Sequence, residues 1–164
     1  MQVPLLDMKA PYEELKDELD AAYARFMTSG WYVLGTETQA FEEAYAGYCQ
    51  VEHCVGVSSG LDALHLALRA CDVGPGDEVL VPSNTYIATW LAATYAGATV
   101  VPVEPDPRTY NLDPARIESA ITARTKAIMA VHLYGLPADM DPIMEAAQRH
   151  SLLVIEDNAQ AQGA

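Results

Sequence analysis

Residues 78–103, EVLVPSNTYIATWLAATYAGATVVPV, carry the pattern that decides the fold. Two short apolar runs, 78–82 and 99–103, flank the helix-length segment 86–96, which predicts a strand, a helix and a second strand. The alternation extends along the chain, with further apolar runs at 53–57, 126–131 and 152–156 and further helix-length segments at 61–70, 114–121 and 142–150. Such alternation predicts an α/β fold, with a mostly parallel sheet and helices on both of its faces.

The first 50 residues have a different pattern, which predicts two helices. Within 12–28, apolar residues recur at helical spacing: Leu15, Leu19, Ala22 and Phe26. We expect Gly30 to end this helix. Thr36 and Gln39 have the spacing of a capping box that opens a second helix. The aromatic residues expected on its inner face are Phe41, Tyr45 and Tyr48. We therefore divide the chain into N-terminal helices, 1–50, and an α/β core, 51–164.

The composition excludes several classes of protein. The chain has 164 residues, 23 of them acidic and 9 basic, and its net charge of -14 argues against binding to nucleic acid. No apolar run approaches the roughly 20 residues that span a membrane. Cys49, Cys54 and Cys71 lack metal-binding spacing and are expected to be reduced thiols. These features favour a cytoplasmic enzyme or binding domain, without a metal site.

The last predicted strand lies close to the end of the chain. Residues 152–155 are all apolar, which is typical of a central parallel strand that is buried on both faces. A central strand needs a neighbour on each side, and little sequence follows this one. We therefore expect the sheet to be incomplete at its C-terminal end.

Polar residues follow every predicted strand. The segments at these positions are Ser58–Gly60, Ser83–Tyr86, Glu104–Asp106, His132–Gly135 and Glu156–Asn158. Because the carboxyl ends of parallel strands lie at one edge of a sheet, where ligands bind in open α/β folds, these segments predict a polar ligand site.

Three of these segments together indicate a phosphorylated flat ring. The small residues 58–60 precede a helix and suit either a phosphate or a plain turn. Asp157 follows an apolar run and is expected to be partly buried, so that it either caps the next turn or faces a ligand cation. Tyr86 is either a core aromatic or a stacking platform. A phosphate site, a platform and a buried carboxylate fit pyridoxal 5′-phosphate (PLP).

The other polar residues at this edge are less informative. His132 is expected to be a hydrogen-bonded structural residue rather than a base. Glu104 and Asp106 either cap loops or face a substrate, and the pattern does not decide between the two.

A set of short motifs carries a resemblance to a known family. They are Val3–Asp7, Ser29–Gly35, Gly60–Leu64, Gly76–Val79, Pro82–Thr89, Val131–Gly135 and Glu156–Ala161. In this order and spacing they resemble the N-terminal half of the DegT/DnrJ/EryC/StrS sugar aminotransferases. The resemblance implies the aspartate-aminotransferase-like fold, that is, the large domain of PLP-transferase fold type I.

The resemblance also implies roles for individual residues. The residues that it assigns to the cofactor are Ser59, Gly60, Leu61, Tyr86, Asp157 and Gln160. Backbone amides of Gly60 and Leu61 would hold the phosphate, and Tyr86 would stack on the pyridine ring. Asp157, the one catalytic residue implied within the chain, would keep the ring nitrogen protonated, and Gln160 would reach the ring hydroxyl.

Further implications concern the substrate side, the lysine and the assembly. Trp31 and Tyr32 resemble the family's substrate-side loop, and family members are homodimers with shared active sites. The Schiff-base lysine is expected beyond residue 164. The lysines present are Lys9, Lys16 and Lys126. Lys126 is expected at the end of its strand opposite the site, which makes it a poor substitute.

Two departures from the family pattern refine this interpretation. Many members have Gly-Thr where this chain has Gly60-Leu61, and the present pair resembles the subgroup that acts on nucleotide-linked 3-keto-6-deoxy sugars. Many members also have His at the position of Gln162, to which we assign no role.

The resemblance therefore implies a PLP-dependent transfer of an amino group, with glutamate as donor, to a nucleotide-linked keto-deoxysugar at C3, in amino-sugar biosynthesis. One alternative is a dehydratase of the same family that uses pyridoxamine phosphate, in which histidine replaces the lysine. The other is a non-catalytic sensor or fragment built on this fold.

Overall fold

The computed structural model describes residues 4–164. Val3, the first residue of the Val3–Asp7 motif, lies outside the described residues. The chain divides into two compact units, residues 1–56 and residues 57–164. Each unit is described separately below.

The first unit contains two helices, α1 (Lys9–Ser29) and α2 (Thr36–Tyr48). Gly30 follows α1 in a left-handed conformation, with φ 65°, and ends the helix as predicted. The predicted capping box is not formed. Thr36 is the first helical residue, and the extended Gly35 precedes it without a side-chain cap. The side chain of Gln39 instead bonds Glu43.

The three aromatic residues of α2 contact one another along the helix. Ring centroids lie 5.5 Å apart for Phe41 and Tyr45, and 6.1 Å apart for Tyr45 and Tyr48. The prediction that all three face inward is wrong for Phe41 and Tyr48, which are exposed. Two helices and their loop supply too little apolar surface to enclose three aromatic rings.

The second unit is a parallel sheet with its covering helices. The strands are β1 (Glu78–Pro82), β2 (Thr99–Val103), β3 (Thr125–Val131) and β4 (Leu153–Asp157), in the sheet order β2-β1-β3-β4. All three strand pairs are parallel. The helices are α3 (Gly60–Ala70), α4 (Ile87–Tyr95), α5 (Ile117–Ala120, after the 3-10 turn Pro114–Arg116) and α6 (Met140–His150).

Alternate residues of β1 pack into two separate cores. Val79 and Val81 contact the buried side of α3 and α4, whereas Leu80 lies among residues of α5 and α6, such as Ile117 and Ile143. Successive side chains of a strand point to opposite faces of the sheet, so each face has its own core. The prediction of helices on both faces is confirmed.

The predicted strand at 53–57 is absent from the described residues. Val55 is 76% exposed, and the amide of Gly56 donates to the carboxylate of Glu42 rather than to a neighbouring strand. The apolar run has the composition of a strand, but a strand also needs a backbone partner, and none of residues 4–164 provides one.

The last strand forms close to its predicted position, 152–156. Within residues 4–164, β4 pairs only with β3 and is the edge of the sheet. None of its residues is fully buried, and Leu153 is 39% exposed. The outer side of β4 therefore has the unpaired backbone groups of an edge strand.

The predicted helix-length segments 114–121 and 142–150 both begin at a proline, and only the first helical segment starts there. The side chain of Asp113 accepts a hydrogen bond from the amide of Ala115, and Pro114 begins the 3-10 turn. The second prediction is wrong, because α6 begins at Met140 and Pro142 is inside its first turn. Proline is tolerated there, since first-turn amides have no partner within the helix.

Among the helices that the structure describes, none combines the length and the apolar character that a membrane-spanning helix needs.

Candidate active site

A cavity of about 440 Å³ opens at the carboxyl ends of β3 and β4 in the second unit. The start of α3, the start of α4 and the turn after β4 line most of it. The lining residues that sequence analysis had named are Ser59, Gly60, Leu61, Tyr86, Asp157 and Gln160. Residues from three distant parts of the sequence therefore share one cavity.

The start of α3 presents free backbone amides to this cavity. Ser59 caps the helix by accepting a hydrogen bond from the amide of Asp62 at 3.1 Å. The carboxylate of Asp62 accepts from the hydroxyls of Ser58 and Ser59, and these contacts, the one with Ser58 first, lower the pKa of Asp62. The amides of Gly60 and Leu61 have no hydrogen-bond partner among residues 4–164. Such amides suit an anion.

Tyr86 lies directly before α4, with its ring open to solvent and to the cavity. The residue is 70% exposed, which excludes the core-aromatic interpretation. One turn further on, the indole of Trp90 donates to the carbonyl of Pro82 at 3.0 Å and attaches the start of α4 to the end of β1. The ring face of Tyr86 is therefore available to a flat ligand, and the helix that carries Tyr86 is held in place.

Asp157, the last residue of β4, is half-buried, as predicted. Its Oδ1 accepts from the amide of Ala159 at 3.2 Å, so it does cap the following turn. Its Oδ2 accepts from the hydroxyl of Thr89 at 3.1 Å. A carboxylate oxygen can accept more than one hydrogen bond, so Asp157 can also pair with a ligand cation in the cavity.

Thr89 is a site residue that sequence analysis missed. It is fully buried in α4, and its hydroxyl also bonds the hydroxyl of Thr85 at 3.0 Å. A buried donor on a carboxylate fixes the direction in which the carboxylate faces. The signal was the spacing, because Thr89 follows Tyr86 by one helical turn and therefore lies on the same side of α4.

Gln160 lies on the cavity wall, where its side-chain oxygen accepts a hydrogen bond from the amide of Tyr134 at 2.8 Å.

His132 is buried, and its Nδ1 accepts a hydrogen bond from the amide of Ala138 at 3.0 Å. Its Nε2 must then carry the proton, which it donates to Glu156 at 2.9 Å. Both ring nitrogens of His132 are therefore hydrogen-bonded, as the structural interpretation predicted.

Asp106 has a structural role at the same edge of the sheet. Its carboxylate accepts hydrogen bonds from the guanidinium and the backbone amide of Arg108, and these contacts lower the pKa of Asp106 to about 2. It does not line the cavity. Glu104 is exposed and also lies outside the cavity wall.

A sequence profile of the DegT/DnrJ/EryC1/StrS aminotransferase family matches residues 13–164. The chain belongs to this family. The match includes the start of α3, the start of α4 and the end of β4, so it spans every element that lines the cavity.

Individual relatives agree with the family match. The chain is 59% identical over 163 residues to dTDP-3-amino-3,4,6-trideoxy-alpha-D-glucose transaminase of Streptomyces venezuelae, covering 99% of this chain and 43% of that protein. The crystal structure of S. venezuelae DesV superposes with a TM-score of 0.97 at 59% identity, over 99% of this chain and 44% of that one. The crystal structure of NtdA of Bacillus subtilis with bound cofactor PMP superposes with a TM-score of 0.89 at 35% identity. The match covers 99% of this chain and 38% of that one.

These family members are longer than the present chain, which spans less than half of the length of each. Trp31 and Tyr32 belong to the first unit, where the indole donates to the carbonyl of Val33 and the phenol to that of Met27. Their role on the substrate side of the family site stays a prediction.

No lysine of the described chain is among the residues that line the cavity. Lys9 and Lys16 form ion pairs along α1. Lys126, near the start of β3, contacts Asp77 at 3.5 Å. It lies at the amino ends of the strands, whereas Asp157 lies at their carboxyl ends. Residues 4–164 contain no cluster of His, Cys, Asp and Glu that could hold a metal ion.

Proposed function

We propose that residues 1–164 form the N-terminal part of the large domain of a PLP-dependent aminotransferase. Residues 1–50 would supply the N-terminal helices and the substrate-side loop, and residues 51–164 the cofactor-binding core. The observation that carries the proposal is the cavity in which Asp157, held by Thr89, shares a wall with Tyr86 and the start of α3.

The residues of the cavity fit the chemical groups of PLP. Free amides at a helix start suit the phosphate, an exposed aromatic ring suits the pyridine face, and a hydrogen-bonded carboxylate suits a protonated ring nitrogen. The volume of about 440 Å³ is within the usual range for small-molecule sites. Bound there, PLP supplies an electron sink for the substrate carbon that loses its proton.

Each residue then has one task. Gly60 and Leu61 bind the phosphate through their amides, and Tyr86 fixes the plane of the ring by stacking. Asp157 holds a proton on the ring nitrogen, and the Thr89 hydroxyl keeps the carboxylate in the orientation that does so. Ser59 organises the helix start through its cap. The lysine that bonds PLP is expected outside residues 1–164, since no lysine of the described chain lines the cavity.

The names of the relatives support a proposal for the substrates. The transaminase of S. venezuelae is named for a dTDP-linked sugar with an amino group at carbon 3. We infer that the present protein transfers an amino group, from glutamate, to C3 of a nucleotide-linked keto-deoxysugar. We also propose a cytoplasmic homodimer, in which a second copy would cover exposed apolar side chains such as Phe41 and Tyr48.

The test uses the complete product of the gene, mixed with PLP, glutamate and a dTDP-linked 3-keto-6-deoxy sugar. We expect a visible absorption band with PLP, its loss on addition of glutamate, and a 3-amino sugar as the product. A product that has lost a hydroxyl group without gaining nitrogen would show the dehydratase instead. The absence of both the band and any turnover would contradict the proposal.

The matched control is a polypeptide of residues 1–164 treated in the same way. It should bind PLP poorly and transfer no amino group, because it has no lysine at the cavity. Borohydride reduction of the complete protein, followed by peptide mapping, should label a lysine outside this range. Stoichiometric labelling of Lys126 would show that the assignment is wrong.

A further inference from the structure

Asn111 is a buried polar side chain that the roles described so far do not use. It lies in the loop between β2 and the 3-10 turn before α5, and it is 2% exposed. Its Oδ1 accepts from the amide of Leu133 at 2.9 Å, and its Nδ2 donates to the carbonyl of Leu136 at 2.8 Å. Both ends of one side-chain amide are therefore fixed to the turn that follows β3.

This turn, residues 133–136, contains two consecutive left-handed residues. Tyr134 has φ 59° and ψ 22°, and Gly135 has φ 84°. The left-handed conformation is natural for glycine but unfavourable for a residue with a Cβ atom, and it persists only where surrounding contacts hold it. The two hydrogen bonds of Asn111 bracket Tyr134 and Gly135 and supply such contacts.

The conformation of Tyr134 sets the orientation of Gln160. The amide of Tyr134 donates to the side chain of Gln160 at 2.8 Å, and a backbone N–H can only donate. The facing atom of Gln160 is therefore its oxygen, and its NH₂ group remains for a ligand in the cavity that it lines. This NH₂ group has no partner among residues 4–164. Gln160 is thus a donor to the cavity, not an acceptor.

We propose that Asn111 is a positioning residue, which acts through the turn at 133–136 to hold Gln160 as a hydrogen-bond donor to the ring hydroxyl of PLP. The inference rests on the function proposed above, because it assumes that the ring lies in this cavity. A donor to that oxygen stabilises its ionised form, so Asn111 favours the ionised ring hydroxyl without touching the cofactor.

The probe is pyridoxine 5′-phosphate, which carries the phosphate, the ring nitrogen and the ring hydroxyl but no aldehyde, so that its binding needs no lysine. The complete protein is titrated with it, and the pKa of the bound ring hydroxyl is read from the absorption spectrum against pH. Gln160→Leu should raise this pKa by about one unit. Asn111→Ala should raise it by at least about half as much.

Three further variants separate positioning from general loosening of the loop. Asn111→Asp keeps the size of the side chain and the acceptor for the amide of Leu133, but it sets an oxygen against the carbonyl of Leu136, so it should raise the ring pKa at least as far as Asn111→Ala and serves as the test if Asn111→Ala does not fold. Asp113→Ala removes a cap in the same loop whose side-chain hydrogen bonds go to Ala115 and Arg116 rather than to the turn at 133–136, and it should leave the ring spectrum unchanged. Asn111→Ala added to Gln160→Leu should give no further shift.

The outcomes distinguish the two levels of the argument. If the wild-type protein does not bind the probe, both the cofactor site and this inference are overturned. If the probe binds and neither Asn111 variant shifts the ring pKa, only the inference is overturned. The same holds if Gln160→Leu has no effect, or if Asp113→Ala shifts the ring pKa as much as Asn111→Asp. A shift in the Asn111 variants that disappears in the Gln160→Leu background supports the inference.

Discussion

Replacing Asp157 by Asn removes a negative charge from the cavity and keeps the shape of the side chain. Asp157 accepts from the amide of Ala159 at 3.2 Å and from the hydroxyl of Thr89 at 3.1 Å. An asparagine can keep its oxygen towards Ala159, whose amide can only donate, and its NH₂ group can donate to Thr89, whose hydroxyl can also accept. We therefore expect Asp157→Asn to fold and to change only the charge.

The cost to catalysis follows from the lost ion pair. An opposite charge at contact distance shifts the pKa of a group by roughly one to three units. Each unit corresponds to about 1.4 kcal/mol, so a protonated ring nitrogen would lose about 1.4 to 4 kcal/mol of stabilisation. Because the ring must accept electrons in its protonated form, we expect the rate of amino transfer to fall by at least about tenfold.

The assay is the single-turnover reaction of the complete PLP-loaded protein with glutamate, followed by absorbance. Thermal unfolding of the same samples checks that the variant is folded. Glu104→Gln is the control, because it removes the same charge from an exposed residue after β2, outside the cavity. It should react at close to the wild-type rate. A near-normal rate in Asp157→Asn would refute the role of the carboxylate.

Substitutions at three other residues have distinct expected results. Tyr86→Phe should leave PLP affinity almost unchanged, because the exposed ring keeps its face, whereas Tyr86→Ala should weaken it about two- to tenfold in an equilibrium titration; an equal loss in both would mean that the hydroxyl matters. Thr89→Val removes the buried donor to Asp157 and should slow amino transfer by about tenfold, because the free energy of a hydrogen bond to a charged group corresponds to a rate factor of at least about this size. Thr89→Ser, which keeps the hydroxyl, should restore most of the rate. A wild-type rate in the valine variant would exclude the positioning role. Arg108 lowers the pKa of Asp106 to about 2. The interaction between the two residues therefore stabilises the folded protein fully above about pH 4, and this contribution is lost as the pH falls towards 2. Denaturant unfolding of Asp106→Asn should therefore show less stability than wild type at pH 6, with the difference closing near pH 2, and parallel pH profiles would contradict this.

Local pattern was sufficient for the elements of the sheet that have partners in the chain. The runs at 78–82 and 99–103 were predicted to be strands and form β1 and β2 with the same bounds. The run at 53–57 has similar composition and does not form a strand within the described residues. Composition indicates which residues can form a strand, but pairing decides whether they do, and pairing depends on residues distant in the chain.

The candidate site was foreseen where its residues stand at strand ends or helix starts. Tyr86 and Asp157 were predicted from such positions, and both line the cavity. Thr89 and Asn111 were missed because each acts through a hydrogen bond to a residue that is distant in sequence. A threonine inside a helix and an asparagine in a polar loop are ordinary in composition, and only the fold brings them to their partners.

The register of one strand pair determines whether Asp157 belongs to the site at all. Val131 pairs with Asp157 at the end of the β3–β4 ladder. Ile155 packs into the core on the side of α3 and α4, so Asp157, two residues later, faces the same side and meets Thr89. Glu156 faces the opposite side and accepts a hydrogen bond from Nε2 of His132. A shift by one residue would turn each carboxylate to the opposite face of the sheet, with the glutamate on the side of α4 and the aspartate on the side of His132, and neither would keep its present partner. The hydrogen bond between Glu156 and the buried His132, whose tautomer is fixed by the amide of Ala138, helps to hold the register on which the cavity depends.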